Sequence, residues 1–185
     1  MPHFDRLKDM YLRTFYHSPV RHLGCRYFAK FSHINPEDGS ANMVDVSSKA
    51  HTKRTATASA LMHLGLDVTQ AISENNIQKG GVLSVARIAG INGAKQTSQL
   101  IPLCHNIMLS KVDINFVLCN EKLQITSTVS SVGPTGVEME ALTAVSVAAL
   151  TVYDMCKSMS KSLVIEAVQL ESKNGGKSGA FYRET

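Results

Sequence analysis

Residues 136–157, GVEMEALTAVSVAALTVYDMCK, constrain the fold more than any other stretch. Ala141, Leu142, Ala144, Val145, Ala148, Val152 and Met155 spread apolar surface over nearly the whole circumference of a helix, and such a helix belongs in a core. Thr135 precedes Glu138 at capping-box spacing. Glu138 and Glu140 fall near the positive end of the helix dipole and Lys157 near its negative end. Thr143, Ser146, Leu150, Asp154 and Lys157 recur at steps of three or four and therefore share a face. A thin, partly polar stripe thus runs along a core helix and ends in Asp154 and Lys157, one turn apart. Taken alone, that pair reads as an i,i+3 ion pair at a helix end.

The rest of the composition is compatible with one domain around that helix. Of 185 residues, 44% are hydrophobic and 18% charged, which suits a globule with a sizeable core. A net charge of +4 is too small to imply nucleic acid and fits anionic small molecules equally well. Cys25, Cys104, Cys119 and Cys156 form no CxxC, which argues against a disulfide framework or a zinc ribbon and suits a reducing compartment. No apolar run reaches the length of a membrane span.

Residues 1–31 differ in character from the rest of the chain. Arg6, Lys8, Arg13, Arg21, Arg26 and Lys30 outnumber Asp5 and Asp9, and no apolar period persists. Such a leader reads as a mitochondrial transit peptide or as a disordered linker from a larger polypeptide. The domain is expected over 32–185. It opens with a polar connector containing the turn Asn35-Pro36-Glu37-Asp38-Gly39 and the extended piece Met43–Val46. Residues 54–64 suit a strand. Asp67 is a candidate N-cap for a helix that runs through Ile77 and stops before Gly80-Gly81. Residues 82–88, with β-branched Val85 and Ile88, read as a strand, and 89–100 as a helix halted by Pro102. Residues 111–119 and 122–130 alternate cleanly and predict an antiparallel hairpin. After the long helix, 162–170 reads as a last strand, followed by a glycine-rich tail. Mixed helices with an antiparallel hairpin predict an α+β class.

Lys79, Lys95, Lys157, Lys173 and Lys177 stand beside glycines, small residues or the polar stripe. Gly80-Gly81 and Gly175-Gly176 would let backbone amides approach an anion closely. Gly175-Gly176-Lys177-Ser178 is no P-loop, for it lacks the leading spacer and a following helix. Each lysine taken singly reads as solvated. Cys104 and His105 are adjacent, which is poor geometry for a nucleophile and its base, and a lone His after an apolar run reads as a hydrogen-bonded core residue. The candidate metal ligands are scattered, so no metal is expected.

The motifs Met43–Val46, Ala86–Ile91, Leu100–His105, Thr135–Thr143, Tyr153–Lys157 and Gly175–Gly179, in that order, resemble the molybdenum cofactor biosynthesis protein C (MoaC) family. The resemblance covers about 32–182. It implies a ferredoxin-like antiparallel sheet packed with helices, assembled as a hexamer of dimers with active sites between subunits. The implied activity is a lyase reaction, cyclic pyranopterin monophosphate synthesis from a cyclised GTP intermediate with release of diphosphate, requiring no cofactor. By motif, Asp154 matches the catalytic aspartate, Lys157 its lysine partner, and Lys79 a lysine that serves the reaction. Leu103, Cys104, His105, Met139 and Glu140 match substrate-binding positions. Lys95, Lys173, Lys177, Arg54 and Asp45 match further polar positions near the site. One departure is Pro134, where the family often carries a basic residue, so that side chain supplies no phosphate contact. A mitochondrial matrix location is implied in a eukaryotic setting, and a cytoplasmic one otherwise. Two other readings use the same residues: a non-catalytic nucleotide- or phosphate-binding module, which needs neither Asp154 nor His105, and a structural partner subunit.

Overall fold

The computed structural model describes residues 33–35, 37–74 and 81–184; the leader 1–31, Ile77, Lys79 and Gly80 lie outside them. Five strands form one antiparallel sheet: β1 Thr52–His63, β2 Leu109–Cys119, β3 Lys122–Gly133, β4 Val164–Asn174 and β5 Phe181–Tyr182, in the spatial order β2-β3-β1-β4-β5. The helices are α1 Leu66–Ser73, α2 Val82–Lys95, the short α3 Thr97–Leu100 and α4 Glu138–Cys156. With α2 and α4 as the crossovers, β1 to β4 follow the β-α-β-β-α-β course of the ferredoxin-like class. The α+β expectation holds.

Alternation decides which face of the sheet is covered. Ala56, Ala58, Ala60 and Met62 of β1 are buried, as are Leu123, Ile125 and Val129 of β3. The intervening positions carry hydroxyls: Thr55 bonds Ser130 and Thr57 bonds Thr128, both at 3.2 Å, on the opposite face. The alanines of β1 let α4 lie close, and Ala141, Ala144, Ala148 and Val152 of α4 are fully buried. By length and composition α4 would pass for a membrane span, contrary to the expectation that nothing here does; its apolarity is accounted for by packing on β1, β3, β4 and α2. Of the predicted polar stripe, Thr143 is buried and Ser146 half-buried, and only its C-terminal part, from Leu150 at 59% exposed to Asp154 and Lys157, emerges on the outer side.

The hairpin is as expected and longer, closing at a two-residue turn where Asn120 adopts φ 52°, a conformation Asn tolerates. At the expected turn the Gly39 amide donates to the Asn35 carbonyl at 2.9 Å, while Pro36 lies outside the described residues. Met43–Val46, in contrast, joins no strand. Asp67 lies inside the first turn of α1, whose N-cap is Gly65, and α1 ends at Ser73. The predicted capping box fails too. The N-cap of α4 is Val137 without a side-chain bond, so Glu138 is the first helical residue rather than the third and turns its carboxylate to Lys173 instead.

The largest correction concerns 82–88, which is helix, not strand. Val82, Val85 and Ile88 are spaced by three, and Val82, Ala86, Gly90, Gly93 and Ala94 form the buried face. Gly90 sets the distance between α2 and α4. A Cβ there would lie 2.5 Å from Ile114 Cδ1 and 2.8 Å from the Ala144 carbonyl oxygen. Ile114 can rotate, but a helix backbone cannot. Gly90→Ala is therefore expected to destabilise despite a propensity gain of about 1 kcal/mol, because overpacking costs about 1–3 kcal/mol. A fall of about 2–4 °C in the thermal midpoint is the expected result; a rise would mean that the helices separate freely.

Candidate functional site

Antiparallel pairing of β1 with β4 sets Ala56 opposite Lys173 and Thr55 opposite Asn174. Residues about 120 apart in the chain are thereby brought to one corner of the sheet, beside the N-terminus of α4. A cavity of about 930 Å³ opens there, lined by Lys49, Arg54, Lys173 and Lys177, by 134–138, and by Asn174, Gly175, Gly176 and Ser178. Four cations face one carboxylate, Glu138.

Each charged group is held by identifiable contacts. Arg54 donates from Nε to the Gly133 carbonyl and from Nη2 to the Pro134 carbonyl, each at 3.3 Å. Pro134, expected to contribute no charge, thus helps anchor one. Two carbonyl dipoles orient this guanidinium without neutralising it, which leaves its fork suited to phosphate. Gly176, at φ 85°, passes directly over it: a Cβ at that position would overlap Arg54 Nη1. Lys173 donates to Ser178 Oγ at 2.7 Å and lies 3.6 Å from Glu138.

A second group adjoins the first turn of α4. His105 bonds the Val44 carbonyl through Nε2 at 2.7 Å. A carbonyl only accepts, so Nε2 carries a proton and donates it. Asp45 is near enough to His105 to interact electrostatically, and its carboxylate accepts from the Ser47 amide at 2.9 Å, which holds it below the usual carboxylate range. Burial and the charge of Glu140 push the Cys104 thiol up, making it a poor nucleophile. Leu103 is half-buried and Met139 exposed at the helix start.

Glu140 is only 4% exposed. Burial, with the charge of Glu138 added, pushes its carboxyl from 4.5 up to about 7. Cys104 and Glu138 are the groups that interact with it electrostatically. The folded protein keeps the Glu140 proton in a range where the unfolded chain releases it. Its contribution to stability is complete below about pH 4.5 and is lost as pH rises to about 7, amounting to about 3 kcal/mol at most. Glu140→Gln should flatten that slope and be more stable than the parent at pH 8, as measured by urea unfolding across the pH series.

Asp154 and Lys157 stand elsewhere. They form an ion pair at 2.6 Å at the C-terminal end of α4, with side chains 60% and 56% exposed. Glu138 and Asp154 are separated by about 24 Å of helix at 1.5 Å per residue. A single chain therefore keeps this pair apart from the cationic cavity. Within one chain the hydrogen bond and charge of Asp154 raise the Lys157 pKa. Lys95 is exposed in the last turn of α2 and lines neither this cavity nor the smaller one beside Tyr182. Lys79 lies outside the described residues. Among those residues, no group of three or more His, Cys, Asp or Glu side chains converges as a metal site. Lys49 and Glu138 are site residues that sequence reasoning passed over. Lys49 sat in what looked like a plain polar connector, and Glu138 was explained by the helix dipole.

The family model described as the MoaC family matches residues 43–176, the span that includes the cavity walls up to Gly176, the His105 segment and the whole of α4. The chain belongs to the MoaC family. Among its relatives, "Cyclic pyranopterin monophosphate synthase" from Peptoclostridium acidaminophilum is 51% identical over 156 residues, covering 84% of this chain and 99% of the relative. The protein of the same name from Clostridium acetobutylicum is 53% identical over 155 residues, covering 83% and 96%. "Molybdenum cofactor biosynthesis protein 1" from Drosophila melanogaster is 50% identical over 171 residues, covering 91% of this chain and 30% of that longer protein. The MoaC-family match spans both ends of α4, and so includes Glu138 at the cavity and the distant Asp154–Lys157 pair.

Proposed function

We propose that this MoaC-family chain is a cyclic pyranopterin monophosphate synthase of molybdenum cofactor biosynthesis. It would convert (8S)-3',8-cyclo-7,8-dihydroguanosine 5'-triphosphate to cyclic pyranopterin monophosphate and release diphosphate, as a phosphorus–oxygen lyase. The observation that carries the reading is the cavity bounded by Lys49, Arg54, Lys173 and Lys177, whose four cations against one carboxylate suit a triphosphate. Closing the cyclic phosphate forms a bond from a hydroxyl oxygen to the α-phosphorus. The bond from that phosphorus to the departing diphosphate breaks, and the hydroxyl proton passes to a base. The cavity cations would stabilise charge developing on the leaving diphosphate. His105, Glu140 and Met139 would bind the base-derived rings.

In this reading Asp154 and Lys157 move protons, with Lys79 as a second acid or base. Lys157 is kept charged by Asp154 and so enters the cycle as a proton donor. Because the pair lies far from its own chain's cavity, a neighbouring copy must supply it, which makes the working enzyme a homo-oligomer, with a homohexamer carrying its sites at dimer interfaces as the implied assembly. The basic, acid-poor residues 1–31 support a mitochondrial matrix address in a eukaryotic setting, which matrix delivery of a reporter fused to them would test.

The separation of the pair from the cavity also favours a second reading, a phosphate-binding module without turnover. One experiment separates the two. Purified protein is supplied with the enzymatically made cyclised GTP intermediate, and diphosphate and a pterin are assayed. Both products are expected; binding without either would favour the module.

A further inference from the structure

Beyond Asn174 the chain forms a strap across the cavity. Gly175 and Gly176, at φ 96° and 85°, turn it over Arg54, and Gly179, at φ 71°, turns it back. Between these turns Lys177 and Ser178 join the cavity wall. The strap returns as β5, a two-residue strand whose Phe181 and Tyr182 pair with Lys173 and Ser172. Both side chains are exposed, Tyr182 by 67%, so little apolar burial holds the strand in place. The next residue makes the firm attachment. The Arg183 amide donates to the Glu171 carbonyl at 2.8 Å, and Arg183 Nε donates to the Leu170 carbonyl at 2.8 Å while lying 4.0 Å from Glu171 Oε2. The Glu171 carboxylate is itself fixed by Ser59 Oγ of β1 and by Gln169 Nε2.

We propose that Arg183 is a positioning residue for the anion cavity: by clamping the end of the strap to β4 and to Glu171, it sets Lys177 and Ser178 in place and, through Ser178, orients the Lys173 ammonium. This rests on reading the cavity as a polyphosphate site. The family match ends at residue 176, so the strap from Lys177 onward and its clamp lie beyond it. With the Arg183 side chain removed, the amide bond to the Glu171 carbonyl and the β5 pairing remain, but the return loses the side-chain contacts to Leu170 and Glu171 that tighten it. Lys177 and Ser178 then sample many positions, and ordering them must be repeated at each binding event. The effect should therefore fall on affinity, not on the chemical step.

The test uses the full chain as purified, with inorganic triphosphate as the calorimetric probe and the cyclised GTP intermediate as substrate. Arg183→Ala should weaken triphosphate binding about threefold to tenfold, the size of a lost hydrogen-bond clamp. KM should rise by a similar factor with kcat nearly unchanged, and the thermal midpoint should move by less than about 2 °C. Arg183→Lys should recover much of the affinity. Adding Glu171→Gln to Arg183→Ala should cost little more, since both act through one contact. Parental affinity in Arg183→Ala would overturn the proposal, and so would a loss that tracks the thermal midpoint and is not recovered by lysine. The two readings fail separately. A parent enzyme that binds triphosphate in this Arg183-dependent way but forms no product removes the synthase reading and keeps the clamp, whereas full turnover by an Arg183→Ala variant with unchanged KM does the reverse.

Discussion

Replacing Lys157 with alanine is expected to slow product formation from the cyclised GTP intermediate by about 10²–10⁴-fold, the range in which a positioned proton donor contributes. Folding will not account for such a loss. Both members of the Asp154–Lys157 pair are more than half exposed, and exposed ion pairs contribute little to stability. The thermal midpoint of the variant should stay within about 2 °C of the parent. Asp154→Asn should act through the same ammonium. The aspartate now raises the Lys157 pKa by hydrogen bond and charge, so its amide replacement should let that pKa fall. The alkaline limb of the pH–rate profile should then move to lower pH, because Lys157 loses its proton sooner. Single-turnover measurements on both variants check this. Near-parental product formation by both would remove the pair from the mechanism.

Local pattern revealed some of this molecule and misled about the rest. The β2–β3 hairpin and α4 were legible because each buries one consistent set of side chains, at period two and around a whole helix respectively. Residues 82–88 were misread because Val85 and Ile88 favour strands one at a time, while the deciding feature is collective: Ala86, Gly90, Gly93 and Ala94 make a small-residue face that fits α4. Thr135 and Glu138 had the spacing of a capping box, but the helix starts later, and Lys173 from β4 takes the glutamate. The cavity was invisible to any spacing argument. Arg54 and Lys173 meet only because β1 and β4 are neighbours in the sheet, a long-range pairing that family resemblance anticipated and periodicity did not. Lys49 had no signal in either.

Two inactive variants should regain activity when mixed. Within one chain, about 24 Å of α4 separates Glu138, at the cavity, from Asp154. If the enzyme turns over triphosphate substrate, one copy must lend its Asp154–Lys157 end to the cavity of another. Leu150, 59% exposed and one turn before Asp154, provides apolar surface for that contact. In a two-fold arrangement the exchange is reciprocal, so each pair of chains has two composite sites. A Lys157→Ala chain lacks the donor but keeps a sound cavity. An Arg54→Ala, Lys173→Ala chain has lost the carbonyl-anchored guanidinium and the Ser178-held ammonium, yet keeps the donor. Each alone yields only defective sites. A hybrid pair places both defects in one site and leaves the other intact. Random pairing makes half of the pairs hybrid, so an equimolar mixture refolded together should recover roughly a quarter of parental activity. The readout is diphosphate released per chain against each variant alone. A mixture no more active than its components would mean that donor and cavity are not shared between copies, and with the distance along α4 as it is, proton transfer would have to come from residues other than Asp154 and Lys157.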